Sequence, residues 1–317
     1  MPSALDWIRQ NAGTRFFMYL HLVDSHDPHP VRPEFRETFV GPRPKGLTAD
    51  SFHDYTHVLR KGRSYTGDGE WDVSRVVPVA HQEYLSRLYD GCVATGDYWL
   101  GELVATLDDL QLEGETVVAV TSDHGEEFFD HGMLAHSHTI YGELVRAPLI
   151  LAGPGVPRGV RSSTPVSNRH LAETLALLAG GSMSNLEDGL NLALPELLPS
   201  RPVYFSTYLG WWKRWFQTPL HGMREGDWLL HFAPEAGPYG SKVPTPGGES
   251  LLYDLTGTGV IEQKPTTGLE REGELKERLE EKLAELEANR TNYSVESGEE
   301  TRGLLEGIGY IEGAEEE

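Results

Sequence analysis

The sequence predicts an α/β fold, a mostly parallel sheet with flanking helices, followed by a small antiparallel α+β subdomain. Three observations predict it. "RFFMYLHLV", "TVVAVT" and "APLILAG" are continuous apolar runs of strand length, as expected of strands covered on both faces. Helical patterns alternate with these runs as far as "SNRHLAETLALLAG". Near residue 195 the texture changes to short strand candidates separated by Gly and Pro.

Taken in order, a short helix is expected around Ala4 to Gln10, then a strand from Arg15 to Val23 in which His21 packs inward. An irregular region from Asp24 to about Val79 follows, and loops of that length in compact domains are usually functional or locally disordered. A long helix over about Val79 to Leu110 is expected from Leu88, Cys92, Trp99, Leu103 and Leu107, which recur at three, four or seven residues. The strand "TVVAVT" occupies 116 to 121, "YGELVR" makes a helical turn, and "APLILAG" makes another buried strand. The next helix has Ser167 or Asn168 as its N-cap and Gly180 at its end. "RPVYFSTYL", "LHGMRE", "WLLHFA" and "SLLYDL" are the subdomain strands, covered by an amphipathic helix from about Glu270 to Ala288. The implied division is 1–195 for the α/β part, 196–290 for the subdomain and 291–317 for an acidic tail.

Composition narrows the function classes. The 317 residues are 38% hydrophobic and 24% charged, ordinary for a globular protein with a sizeable core. The formal net charge of -22 argues against nucleic-acid or anionic-membrane partners, which need a basic face. Much of the acid lies in "LEREGELKERLEEKLAELEANR" and "EGAEEE", where a solvated helix face and tail suffice to explain it. Cys92 is the only cysteine, so no intrachain disulfide can form, and its helical spacing with Leu88 fits a small core residue. No run has signal-peptide character or the ~20 apolar residues of a membrane span.

Chemistry-bearing residues gather at two strand ends. Asp123 and His124 follow "TVVAVT" directly, at the carboxyl edge where open α/β sheets bind ligands. A carboxylate beside an imidazole suits a divalent cation, and the imidazole tilts the choice toward zinc or manganese. Glu126, Glu127, Asp130, His131, His136 and His138 crowd the next stretch. At the other end, "HLVDSHDPHP" places Asp24, His26, Asp27 and His29 within six residues. His26 and His29 there are loop residues able to face a cleft, although a lone loop histidine is ordinarily solvated.

The stretch "YDGCVATGDYWLGELVATLDDLQLEGETVVAVTSDHGEEFFDHG", with "HSHTIYGELVRAPLILAGPGVPRGVRSSTPVSNRHLAETLALLAG", resembles the sulfatase family of the alkaline phosphatase superfamily. "DSHDPH" is similar to that family's Asp-Pro-His-x-Pro-Tyr loop, and "HGMREGDWLLHF", "ESLLYDLTGTG" and "ETRGLLEGIGYIEG" resemble its carboxyl-terminal segments. The resemblance implies an alkaline-phosphatase-like fold and sulfuric ester hydrolysis. It implies one divalent cation, calcium by family, with manganese or zinc open because of His124. Asp123 and His124 match metal ligands, and His26 matches a histidine that contacts the sulfate. His136 or His138, with His138 preferred, falls where a Lys or His holds the sulfate or protonates the leaving oxygen. Such a site must neutralise a tetrahedral oxyanion and supply a proton to the departing alkoxide. The implied substrate is a small-molecule or carbohydrate sulfate ester.

The same resemblance exposes what the chain does not contain. The family's first strand carries an Asp pair, followed by a Cys-x-Pro-x-Arg or Ser-x-Pro-x-Arg segment whose Cys or Ser becomes the formylglycine nucleophile. Neither occurs here, and Cys92 is followed by "VATG". The expectation is a carboxyl-terminal portion of a sulfatase-like enzyme, inactive alone and lacking an amino-terminal half. Without opposing strands, apolar surface and unpaired edges are expected around "TVVAVT". Two-metal phosphatases carry Asp-x-x-x-His on the equivalent loop, a spacing that neither Asp24 nor Asp27 satisfies. A single-metal phosphodiester or phosphonate monoester hydrolase is the alternative within the superfamily, and a non-catalytic binding protein on the same scaffold is the alternative outside it. Substrate selection is expected from the Asp24–Val79 region and from Trp211, Trp212 and Trp215 beside Lys213 and Arg214, which suit an aryl or sugar ring and its sulfates.

Overall fold

A computed structural model describes residues 1–55, 73–182, 190–207, 219–234, 248–257, 262, 265–266 and 268–288. The tryptophan-rich segment and the acidic tail therefore lie outside the described residues.

Helix α1 spans Pro2–Asn11 and buries Leu5 and Ile8. Helix α2 spans Val79–Asp109, as its apolar spacing predicts, and buries Tyr84, Leu85, Leu88, Cys92 and Leu107. Tyr84, Leu85, Leu88 and Cys92 take up Val31, Val40 and Leu47 from the preceding segment, with Leu134 from beyond the helix, to form one core cluster. Gly91 makes this seating possible, because a Cβ there would lie 2.7 Å from Val31 Cγ1. Cys92 is buried here as expected, and burial pushes its thiol up to about 12.

Strands β1 (Val118–Thr121) and β4 (Leu149–Ala152) pair, and between them lies the hairpin β2 (Glu127–Phe128) and β3 (Leu134–Ala135). A short helix over Gly142–Val145 precedes β4, and helix α3 (Leu171–Leu178) follows it. Ser167 caps the turn leading into α3 by accepting from the Arg169 N–H, and Gly180 ends it at φ +78°. Among the described residues every ladder is antiparallel, including β1 with β4, so the parallel pairing expected from the apolar runs is not present there. Residues 15–23 are a second departure, since they form no ladder, and Phe17, Tyr19 and His21 are exposed. An apolar run becomes a strand only when a neighbour accepts its backbone hydrogen bonds, and no described segment pairs with this one. The expected apolar exposure near β1 is present at Ile150, which pairs with Val120.

The carboxyl-terminal part follows the sequence closely. Strands β5 (Val203–Thr207), β6 (Leu220–Glu225), β7 (Trp228–Ala233) and β8 (Glu249–Asp254) form one antiparallel sheet in sequential order. Helix α4 (Glu270–Ala288) covers one face, where Leu275 and Leu279 pack on Met223, Leu230, Phe232 and Leu252. The other face, with Leu220, Leu229, Ala233 and Tyr253, packs on Ile140 and Tyr141. Alternate residues of β7 thus serve opposite cores, which is why "WLLHFA" is apolar on both faces.

Candidate functional site

The turn after β1 is set by a close approach of two backbones. The Gly125 N–H donates to Leu144 C=O at 2.8 Å, and a Cβ on Gly125 would lie 1.9 Å from Glu143 O. Only glycine fits there. Asn168 Nδ2 donates to Thr121 Oγ1 and Ser122 C=O, tying the strand end to the start of α3. Asp123 and His124 are thereby held at the carboxyl end of β1, with side chains 55% and 39% exposed.

His124 Nδ1 donates to Gly125 C=O at 2.7 Å, which leaves the Nε2 lone pair as the outward ligand atom. That Nε2 lies 3.8 Å from Asp123 Oδ2, a separation that two ligands of one cation can adopt. His26 is fixed in the same manner, donating from Nδ1 to Asp27 C=O at 2.6 Å. The His136 ring lies 4.3 Å from the His124 ring and 6.2 Å from the His26 ring, centroid to centroid. His26, His124 and His136 therefore form a continuous imidazole surface with Asp123 at its rim.

His136 and His138 part company. His136 Nδ1 faces Glu126, at 3.2 Å from Oε1 and 3.3 Å from Oε2. Burial alone would lower its pKa, but the hydrogen bond and charge of Glu126, joined by Asp123, outweigh it and raise the value. His138 instead turns both nitrogens to protein acceptors, Nε2 to Glu127 Oε2 at 2.7 Å and Nδ1 to His136 C=O at 3.1 Å. Glu127 is fully buried, and its Oε1 accepts the His131 and Met133 N–H groups at 2.9 and 2.7 Å. Burial would raise the Glu127 pKa, yet these donors, His138 foremost, hold it below the usual carboxylate range. Ala135 and Ser137 adopt φ +75° and +69°, so the backbone reverses on each side of His136. No spacing rule reads such a path, which is why the two histidines stood as near equals in the sequence.

The loop carrying His26 is braced on α2. Asp27 accepts from Ser51 Oγ at 2.7 Å and the Phe52 N–H at 3.1 Å. Asp50 accepts from Tyr84 Oη at 2.7 Å, Arg43 at 2.9 Å and Arg36 at 2.5 Å. His29 is not a cleft residue. It is buried against Phe52, Tyr89 and Phe128, and burial lowers its pKa. Its apolar neighbours come from three separate segments, so nothing next to it in sequence announces its burial.

A second cluster escaped the sequence. His131 Nδ1 meets Glu143 Oε1 at 2.6 Å, and its Nε2 donates to Glu262 C=O at 3.1 Å. Tyr141 stacks on the His131 ring at 3.6 Å, and His231 of β7 stands near Glu262. The one available signal was His131 itself, within the acid-rich stretch after β1.

The sulfatase family model matches residues 1–181. Arylsulfatase K of Xenopus laevis is 28% identical over 242 residues, covering 70% of this chain and 43% of its own length. The chain thus spans less than half the length of that curated relative. Among solved structures, a phosphonate monoester hydrolase from Silicibacter pomeroyi aligns with a TM-score of 0.51 at 18% identity, covering 68% of this chain and 43% of its own. BT4656, solved with its substrate D-glucosamine-2-N,6-O-disulfate, aligns with a TM-score of 0.52 at 18% identity, covering 90% and 62%. These likenesses establish the alkaline-phosphatase-like α/β fold.

Proposed function

The chain belongs to the sulfatase family, and from that premise we propose that His26, Asp123, His124 and His136 form one wall of a site for sulfuric ester hydrolysis. The observation that carries this reading is the imidazole surface at the end of β1, with His136 4.3 Å from His124.

Asp123 and the free Nε2 of His124 would hold a divalent cation, and the donor set fits one: a carboxylate and a correctly protonated imidazole 3.8 Å apart. Imidazole favours manganese or zinc over the calcium that family resemblance suggests. When bound, such a cation would neutralise charge on the ester's oxygens. The protein's own groups do the rest. His136, whose imidazolium form Glu126 favours against burial, would donate from Nε2 to a sulfate oxygen or to the leaving oxygen. His26 lines the same wall from the neighbouring loop, its Nε2 turned outward. His138 supports the hairpin through Glu127, and this reverses the order of preference that sequence alone suggested.

No Cys-x-Pro-x-Arg or Ser-x-Pro-x-Arg segment is among the 317 residues, so the nucleophile is not in this sequence. The wall therefore binds a sulfate ester without turning it over. The test is calorimetric titration of the manganese-loaded chain with an aryl sulfate, alongside His124→Ala and His136→Ala. Binding lost in both variants supports the reading, and undiminished binding overturns it. Hydrolysis well above that of His124→Ala would show a nucleophile of the chain's own. The phosphonate monoester hydrolase likeness favours one second reading, in which a phosphonate or phosphodiester occupies the same wall. Tighter binding of an aryl phosphonate than of its sulfate counterpart would select it.

A further inference from the structure

Between the hairpin that leads into the site and the carboxyl-terminal sheet lies a partly buried group that the proposed hydrolysis does not use. Ligand atoms of His131, Glu143 and Glu262 all lie within 4.8 Å of one another. His231 stands beside this trio, its Nε2 4.0 Å from Glu262 Oε1. His231 and Glu262 are 1% and 3% exposed, and His231 Nε2 and Glu262 Oε2 have no hydrogen-bond partner. Unpaired buried groups of this kind ordinarily destabilise a fold, so their coincidence in one spot needs an explanation.

We propose that His131, Glu143, Glu262 and His231 constitute a structural zinc-type cation site that clips the hairpin segment to the carboxyl-terminal sheet. Two imidazoles and two carboxylates are a donor set suited to zinc. The charges agree. Glu262 is buried and Glu143 partly buried. Burial would lower the pKa of His131 between them, but the hydrogen bond and charge of Glu143 raise it. That supplies one positive charge against two carboxylates. Burial raises the Glu262 pKa and pushes His231 down to about 3. A divalent cation neutralises both carboxylates and turns the unpartnered His231 and Glu262 atoms into ligand atoms.

Geometry assigns the role. Glu262 already binds the segment twice, accepting the Gly142 N–H at Oε1 and the His131 Nε2–H at its backbone carbonyl. Tyr141, stacked on His131, closes one side and contacts His231 and Tyr253 edge-on. His131 and Glu262 are 131 residues apart, so a cation here closes a long loop and limits the unfolded chain accordingly. Binding displaces the proton shared by His131 Nδ1 and Glu143, so each cation taken up releases at least one proton and affinity falls in acid.

The test uses the full chain with Asp123→Asn and His124→Ala combined, which removes the outer ligands and keeps this proposal separate from the hydrolase reading. After chelation, the variant is titrated with zinc by calorimetry and with cobalt(II) by visible absorption. Expected are one equivalent of zinc bound with proton release, an intense tetrahedral cobalt band, and a thermal midpoint raised by several degrees. Glu262→Gln or His231→Gln added to that background should weaken zinc by about tenfold or more, with circular dichroism confirming the fold. No zinc uptake by the double variant overturns the proposal whether or not the further variants fold. Uptake undiminished by Glu262→Gln and His231→Gln overturns it too, as does a loss of midpoint that zinc does not alter.

Discussion

Two histidine clusters grow from the same twenty residues after β1, and they differ in what their imidazoles face. At the outer cluster, His124 and His26 are pinned through Nδ1 by backbone carbonyls and present Nε2 outward. At the inner one, His131 is held through both nitrogens and His231 is entirely enclosed. Glu126 and Glu127, adjacent in sequence, divide between the two regions: Glu126 supports His136 at the surface, and Glu127 secures the hairpin from within. One-sided tethering leaves a nitrogen turned outward, and two-sided tethering ties an imidazole into the interior. Residue type does not distinguish the two uses.

Breaking the inner support should cost most. Glu127→Ala strands His138 and two backbone N–H groups in the interior, and the expected loss is about 3–5 kcal/mol by urea denaturation. A loss under about 1 kcal/mol would mean that Glu127 does not organise the hairpin. Next comes the junction between the regions. Gly125→Ala must push Glu143 O away, and overpacking of this kind costs about 1–3 kcal/mol. Manganese affinity at Asp123 and His124 should fall with it, and a variant with unchanged affinity would detach that turn from the site.

A smaller effect is set by pH. Burial would raise the Asp50 pKa, but Tyr84, Arg43 and Arg36 hold it below the usual carboxylate range. A carboxyl depressed on folding stabilises above its unfolded pKa, and that contribution disappears as pH falls through the lower folded value. Asp50→Asn should therefore cost about 1–2 kcal/mol near neutrality, and the difference should shrink as the pH falls below the ordinary carboxylate range at a second, acidic pH. Equal differences at both pH values would contradict this. The smallest stability effect is expected at the outer cluster: His136→Ala changes stability by about 0.5 kcal/mol while abolishing sulfate ester binding. The reverse outcome, with His138→Ala the one that loses binding, would exchange their roles.

Much of the fold was legible because its signals are periodic. The spacing of Leu88, Cys92 and Leu107 marks α2, and the four short strands and α4 follow their patterns to within a residue or two at most ends. The run from Arg15 to Val23 misled for a physical reason: apolarity shows that a segment could be buried, and pairing depends on a neighbour. The β2/β3 hairpin went unseen because two-residue strands carry no periodicity. Asp123, His124, His26 and the two later histidines were visible by residue type and position after apolar runs.

By itself the sequence determined the sulfatase resemblance, the helices, the antiparallel end and the absence of the nucleophile segment, since these reside in local order and composition. Only the tertiary structure decided that His136 lies beside His124 while His138 turns to Glu127, that His29 is buried, and that Glu262 meets His131 across 131 residues. The reason is that a side chain's role depends on what lies opposite it, and here the opposing residues arrive from remote parts of the chain or around backbone reversals at Ala135 and Ser137.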